Sequence, residues 1–142
     1  MDHVVYLDKK ADELSSLLSG DKKIIIRGAT GRKLPYGRVN PGDLLYLIVN
    51  DGSGLIRARG EVSSVINSKK MTSEQSTTLV EEHQDLLQLT EAQYKRWAGK
   101  RYLVLIGIDY VVSLDPFLID KGDYGNMDDW LPVESIDSVR VD

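Results

Sequence analysis

The sequence predicts an α+β fold, a small twisted or closed sheet with helices inserted between its strands. Three observations point there. The elements read strand, helix, strand, hairpin, two helices, long strand, with no alternating βαβα series of the kind that builds a doubly wound sheet. Apolar residues recur every second position in the strand candidate after Gly54 and every third or fourth in the helix candidates. The 142 residues, 42% hydrophobic and 28% charged, suffice to bury a core by removing roughly two-thirds of the unfolded surface from water. Residues 1–142 are therefore expected to form one domain.

Each element has a local cause. His3 to Leu7 is a short β-type run. Asp8 stands as an N-cap, Ala11, Leu14, Leu17 and Leu18 recur at helical spacing, and Gly20 ends the helix in a left-handed conformation. Lys23 to Arg27 is β-branched and reads as the second strand. Gly28 to Arg38 holds too many breakers for regular structure and forms a basic loop. Asn40-Pro-Gly-Asp43 makes a turn, because proline presets φ and glycine accepts positive φ, and it launches the strand Leu44 to Val49. Asn50 to Gly54 closes a hairpin. On the strand that follows, Ile56, Ala58, Gly60 and Val62 alternate with Arg57, Arg59 and Glu61, which places both arginines on one polar face.

Thr72 with Gln75 and Thr90 with Gln93 are capping-box pairs, each opening a helix. The first carries the stripe Leu79, Val80, His83, Leu86, Leu87, and the second carries Tyr94 and Trp97 before Gly99. Tyr102 to Val112 is apolar on both faces, as in a central strand, and Asp115-Pro116 is expected to end it. An acidic loop spans Asp120 to Asp129, followed by Trp130 to Val133 and a short run at Ser138 to Val141.

Composition excludes several function classes. The chain has no cysteine and two histidines, which removes disulfides, thiolate metal sites and cysteine nucleophiles. No metal and no cofactor are expected. Asp123, Asp128 and Asp129 lack EF-hand spacing, no Gly-x-x-x-x-Gly-Lys-Ser/Thr loop or Gly-x-Ser-x-Gly elbow occurs, and no apolar run approaches the ~20 residues of a membrane span. With no leader-like start, a cytoplasmic location is expected. The net charge is −4, yet residues 20–70 hold ten Lys/Arg against four Asp/Glu, while residues 109–142 hold two against nine. One basic face would steer a polyanion. The alternative is mutual neutralisation of the two segments in the fold.

Gly20-Asp21-Lys22, with the strand ending at Arg27, is similar to the Gly-x-Lys-x-x-x-x-Arg signature of ASCH domains and follows a helix as it does there. The Asn40–Asp43 turn, the later helical insertion and Trp97-Ala-Gly-Lys-Arg-Tyr102 before a long strand also resemble ASCH and EVE members of the PUA-like superfamily. The resemblance implies a small mixed or antiparallel β-barrel with a cleft beside the signature strand, and roles in binding RNA, modified bases or nucleosides. It also implies, for some members, amidohydrolysis of acylated cytidine by the signature lysine, a Thr or Glu inside the signature, and a later glutamate. Lys22 and Arg27 match; Ile25 stands where the Thr or Glu is expected and supplies no polar group.

Three functions follow. The first is recognition of RNA, a nucleotide or a modified base by a basic cleft. Lys22 and Arg27 would contact phosphates or base edges, as would Arg38, Arg57 and Arg59. Arg32, Lys33 and Tyr36 offer cations interleaved with an aromatic ring on a loop, and Trp130, beside Asp128 and Asp129, is a candidate pocket lid. Trp97 is expected in the core. The second is a nucleoside hydrolase in which Lys22 activates a nucleophile and Glu81 or Glu82 is the acid/base, although Glu81, Glu82 and Asp85 also read as a solvated helix face. The third is a protein-interaction domain docking a basic partner on its acidic C-terminal part. Arg27 paired to Asp43, as a structural ion pair, is the competing reading for that arginine.

Overall fold

The computed structural model describes residues 1–120 and 129–141; of the acidic candidates, Asp123 and Asp128 lie outside them. Along the chain are β1 (Asp2–Leu7), α1 (Glu13–Ser19), β2 (Ile24–Ala29), β3 (Leu44–Val49), β4 (Leu55–Asn67), α2 (Ser73–Glu82), α3 (Gln84–Leu87), α4 (Glu91–Trp97), β5 (Tyr102–Ile119), β6 (Trp130–Glu134), a 3-10 turn (Ile136–Ser138) and β7 (Arg140–Val141). Among the described residues the strands form one curled, mixed sheet in the order β2-β5-β4-β3-β1-β6, with β7 on the far end of β5. β1 runs parallel to β3, and the other pairings are antiparallel.

Alternation along the strands divides the apolar residues between three clusters. Val5, Leu7, Ile25, Leu45, Leu47, Val104, Ile106 and Trp130 fill the inside of the curl. Their neighbours Ile24, Ile26, Leu103 and Leu105 face outward and are covered by Val80, Leu87, Leu89 and Trp97 of the helical insertion. Val4, Tyr46, Ile48 and Ile56 are covered by Leu131, Val133, Ile136 and Val139 of the C-terminal segment. β2 and the first half of β5 are thus buried on both faces, which is why their sequences show no polar alternation.

The local signals act as expected at several points. Both capping boxes form, at Thr72/Gln75 and Thr90/Gln93. Gly20 closes α1 with φ 85°, and Asp43 N donates to Asn40 O at 3.0 Å across a turn with Gly42 at φ 92°. Other expectations need correction. Asp8 accepts from Ala11 N at 3.1 Å, but the regular helix starts only at Glu13. The long helical stripe breaks at His83, whose Nδ1 lies 2.9 Å from Leu79 O; the break turns Leu86 out to solvent. β5 passes through Asp115-Pro116 to Ile119. Pro116 falls where the β4–β5 register shifts, between Ala58↔Ser113 and Ile56↔Phe117, and a bulge accepts a residue that cannot donate to the ladder.

Candidate functional site

The ends of the curled sheet approach each other at Arg27. This residue leaves β2 on the side of Ile25, toward the inside of the curl, and meets β1 without any backbone pairing between the two strands. Its Nη2 donates to Tyr6 O at 2.8 Å and its Nη1 to Ile26 O at 2.7 Å. The guanidinium carbon lies 5.9 Å from the ring centre of Trp97 and 5.8 Å from that of Trp130, distances at which a cation is attracted to the aromatic quadrupole. Its Nε is buried and donates no hydrogen bond. Among the described residues the nearest acid is Asp129, with Oδ2 3.5 Å from Nε; at that separation the two groups are an ion pair, not hydrogen-bond partners.

Around this guanidinium lies a cleft with two lobes. One, about 230 Å³, runs from Arg27, Arg96, Trp97 and Asp129 toward the β1–α1 connection, where Lys9, Lys10 and Glu13 line it. The other, about 220 Å³, shares those four residues and extends past Gly28 to Lys33 and Lys100. α4 positions Arg96 and Trp97: its capping box fixes where the helix starts, and Trp97, buried, anchors its last turn on β2. Arg96 lies outside, 4.4 Å over the Trp97 ring, with Nη2 3.7 Å from Asp129 Oδ2. Gly28 is required by close approach, since a Cβ there would come within 2.6 Å of Leu103 Cδ2 and 3.1 Å of Tyr102 O.

Lys22 does not reach the cleft as a ligand-binding cation. Its side chain is 2% exposed, and the ammonium lies 3.4 Å from Glu13 Oε2 and donates to Leu87 O. Burial pushes the ammonium below the usual lysine range, against the pull of Glu13. The other Glu13 oxygen accepts from Asp8 N at 3.1 Å. Glu13, not Glu81 or Glu82, is therefore the carboxylate beside Lys22. Glu81 accepts from the Tyr94 hydroxyl at 2.8 Å, which raises the phenol above its ordinary value, and Glu82 borders a separate groove with Lys69 and Met71. Ile25 is fully buried in the core of the curl.

Trp130 is a further correction. It is 0% exposed, not a lid, because its indole N–H donates to His3 Nδ1 at 3.1 Å and its ring closes the inner core. His3 Nε2 lies 2.9 Å from Asp43 Oδ2. Asp43 thus pairs with His3, and not with Arg27. Burial lowers the His3 pKa, partly offset by the Asp43 hydrogen bond. Burial raises the Asp43 carboxyl, but the hydrogen bonds from His3 and Asn40 N bring it below its ordinary value.

The basic loop is pinned. The Tyr36 hydroxyl donates to Ser68 O at 2.6 Å, its ring meets Tyr102 edge-on at 5.7 Å, and Arg32 lies 5.7 Å from both ring centres. Tyr36 is therefore no open stacking platform. Arg38 is exposed and Lys33 alone of the loop cations lines the cleft. The single polar face expected for Arg57 and Arg59 is broken, because β4 bulges at Arg57 and puts Ile56 and Ala58 in different apolar clusters; Arg59 borders a different hollow with Tyr46 and Phe117. Cleft-lining charges that the sequence analysis did not single out as site residues include Lys9, Lys10, Glu13, Arg96, Lys100 and Asp129. A basic residue before an anchoring tryptophan, at the end of a capped helix, was the signal available for Arg96.

No helix among the described residues is long and apolar enough to cross a membrane. The sequence matches no protein-family model, and no curated protein matches it. Solved structures do match. ASCH from Zymomonas mobilis superposes with a TM-score of 0.65 at 16% identity, over 94% of this chain and 89% of that one. A Tyr-to-Phe mutant of the same organism's ASCH protein gives 0.63 at 14% identity over 84% and 77%, and a Ser-to-Ala mutant 0.62 at 14% over 82% and 73%. At such identities the likeness establishes the fold. The curled mixed sheet with its helical insertion has the fold of these ASCH proteins.

Proposed function

We propose that the protein is a nucleic-acid-binding module that takes a single base or nucleotide of RNA into the cleft around Arg27. The observation that carries this reading is the convergence of Arg27, Lys33, Arg96 and Lys100 on one small lobe in which, among the described residues, Asp129 is the only acid, in a chain whose net charge is −4. A cationic hollow in an acidic protein concentrates field where an anion can use it. Each lobe is smaller than the ~300–1,000 Å³ of ordinary small-molecule sites, which leaves room for a base in one and a phosphate in the other and excludes a duplex from the interior. The ASCH-like fold supports the same reading.

A fluorescence titration with short single-stranded and duplex RNA and DNA, at low and moderate salt, tests it on wild type and on the double variant Arg96→Ala, Lys100→Ala. The expected result is saturable single-strand binding that weakens as salt rises, because bound cations release counterions, and that the double variant loses. Absence of binding to every oligonucleotide at low salt overturns the reading.

A further inference from the structure

One oxygen of Asp129 stands between two guanidinium groups and satisfies neither. Oδ2 is 3.5 Å from Arg27 Nε and 3.7 Å from Arg96 Nη2, outside the 2.7–3.2 Å of a good N–H···O bond. Meanwhile Arg27, whose side chain is 8% exposed, keeps a buried Nε–H with no acceptor. A buried donor without an acceptor forfeits its hydration and is costly to keep, and native folds keep few of them. The Asp129 side chain is 42% exposed. Its main chain is fixed independently, since Tyr6 N donates to Asp129 O at 2.9 Å. The carboxylate can therefore swing without disturbing β1 or β6.

We propose that the lobe bounded by Arg27, Arg96, Lys33 and Lys100 is a phosphate subsite, and that the Asp129 carboxylate keeps its central position until a phosphate displaces it. This rests on the nucleotide reading above and deepens it. A phosphate fits better than the carboxylate for two reasons. It brings several acceptor oxygens in a tetrahedral spread, so that Arg27 Nε, Arg96 and Lys100 are met together, where one carboxylate oxygen meets two groups at a distance. It also brings its charge to Arg27, Arg96 and Lys100 together, and charge-assisted N–H···O bonds to phosphate are among the strong ones. Asp129 holds the cations in register in the absence of ligand and sets a threshold that a weak anion does not pass.

The test is an NMR titration of wild type, Asp129→Asn and Arg96→Gln with inorganic phosphate, methyl phosphate and dimethyl phosphate, following the backbone amides of Arg27, Gly28 and Lys100 and the Trp97 indole. Asparagine keeps the shape of Asp129 and removes the competing charge, so Asp129→Asn is expected to tighten phosphate by about tenfold, since like charge juxtaposed in a site is costly. Arg96→Gln should weaken it. Tighter binding of methyl phosphate than of dimethyl phosphate assigns the subsite to a strand end, and equal binding assigns it to an internal backbone phosphate. If Asp129→Asn leaves phosphate affinity unchanged or weaker, or if the shifts fall outside the cleft, the proposal is overturned. Failure of oligonucleotides to bind while phosphate behaves as described would instead remove the RNA reading and leave the subsite standing.

Discussion

Arg27 on β2 and Tyr6 on β1 are joined by a 2.8 Å hydrogen bond between strands that share no backbone pairing. The bond spans the mouth of the curled sheet, where Arg27 also forms the wall common to both lobes. The same side chain therefore holds the fold and shapes the site.

Substituting Arg27 should act on both. Arg27→Met keeps the packing between the two tryptophans but strips hydrogen bonds from Tyr6 O and Ile26 O. An expected loss of about 2–4 kcal/mol follows from two unpaired acceptors, read as a lower urea midpoint with an unchanged slope. A loss of nucleotide binding with no loss of stability would show that Arg27 does not brace the curl.

The buried pair of Lys22 and Glu13 makes a different prediction. Removing one partner leaves the other charge buried and alone, so Lys22→Met should cost about 3–5 kcal/mol. Removing both, in Lys22→Met with Glu13→Leu, should recover much of that loss, because a buried ion pair is often replaceable by apolar groups. A double-mutant cycle in denaturant measures the coupling. Additive effects would mean the two charges do not depend on one another.

His3 gives the fold a pH dependence. It accepts from the Trp130 indole and faces Asp43, with the N-terminal ammonium and Asp2 nearby. Its folded pKa lies below the ordinary histidine value of 6.5, so the unfolded chain binds more protons in the window beneath 6.5. Stability from His3 is then complete above that value and falls as pH drops through the folded pKa. Thermal unfolding followed from pH 8 to pH 5 should show a steeper decline in wild type than in His3→Gln. Parallel curves would assign the acid sensitivity elsewhere.

Cations outside the cleft should matter little to a single nucleotide. Arg57→Ala with Arg59→Ala is expected to leave mononucleotide affinity within about twofold, as for charges screened by roughly a Debye length of 8–10 Å. Lys100→Ala should weaken it more. The reverse order in a binding titration would move the site to the β4 face.

Gly28→Ala tests the floor of the second lobe. The added Cβ meets Leu103 Cδ2 at 2.6 Å, and overpacking of this kind costs about 1–3 kcal/mol. Chemical denaturation of the variant reads that cost directly.

What the sequence alone determined is what near neighbours control. The capping boxes, the Gly20 stop and the Asn40–Asp43 turn each follow from residues a few positions apart, and each stands in the structure. The mixed order of elements sufficed for the fold class. Tertiary structure decided the rest by bringing together distant side chains. Trp130 looked exposed beside acidic residues, yet its N–H is satisfied by His3, 127 positions away. Lys22 looked available, yet Glu13 and Leu87 bury it. The cleft unites Arg27 of β2 with Arg96 of α4 and Asp129 before β6, because the sheet curls until its ends meet. No local pattern encodes that convergence; it arises only when three apolar clusters are buried at once on a sheet too curved to stay open.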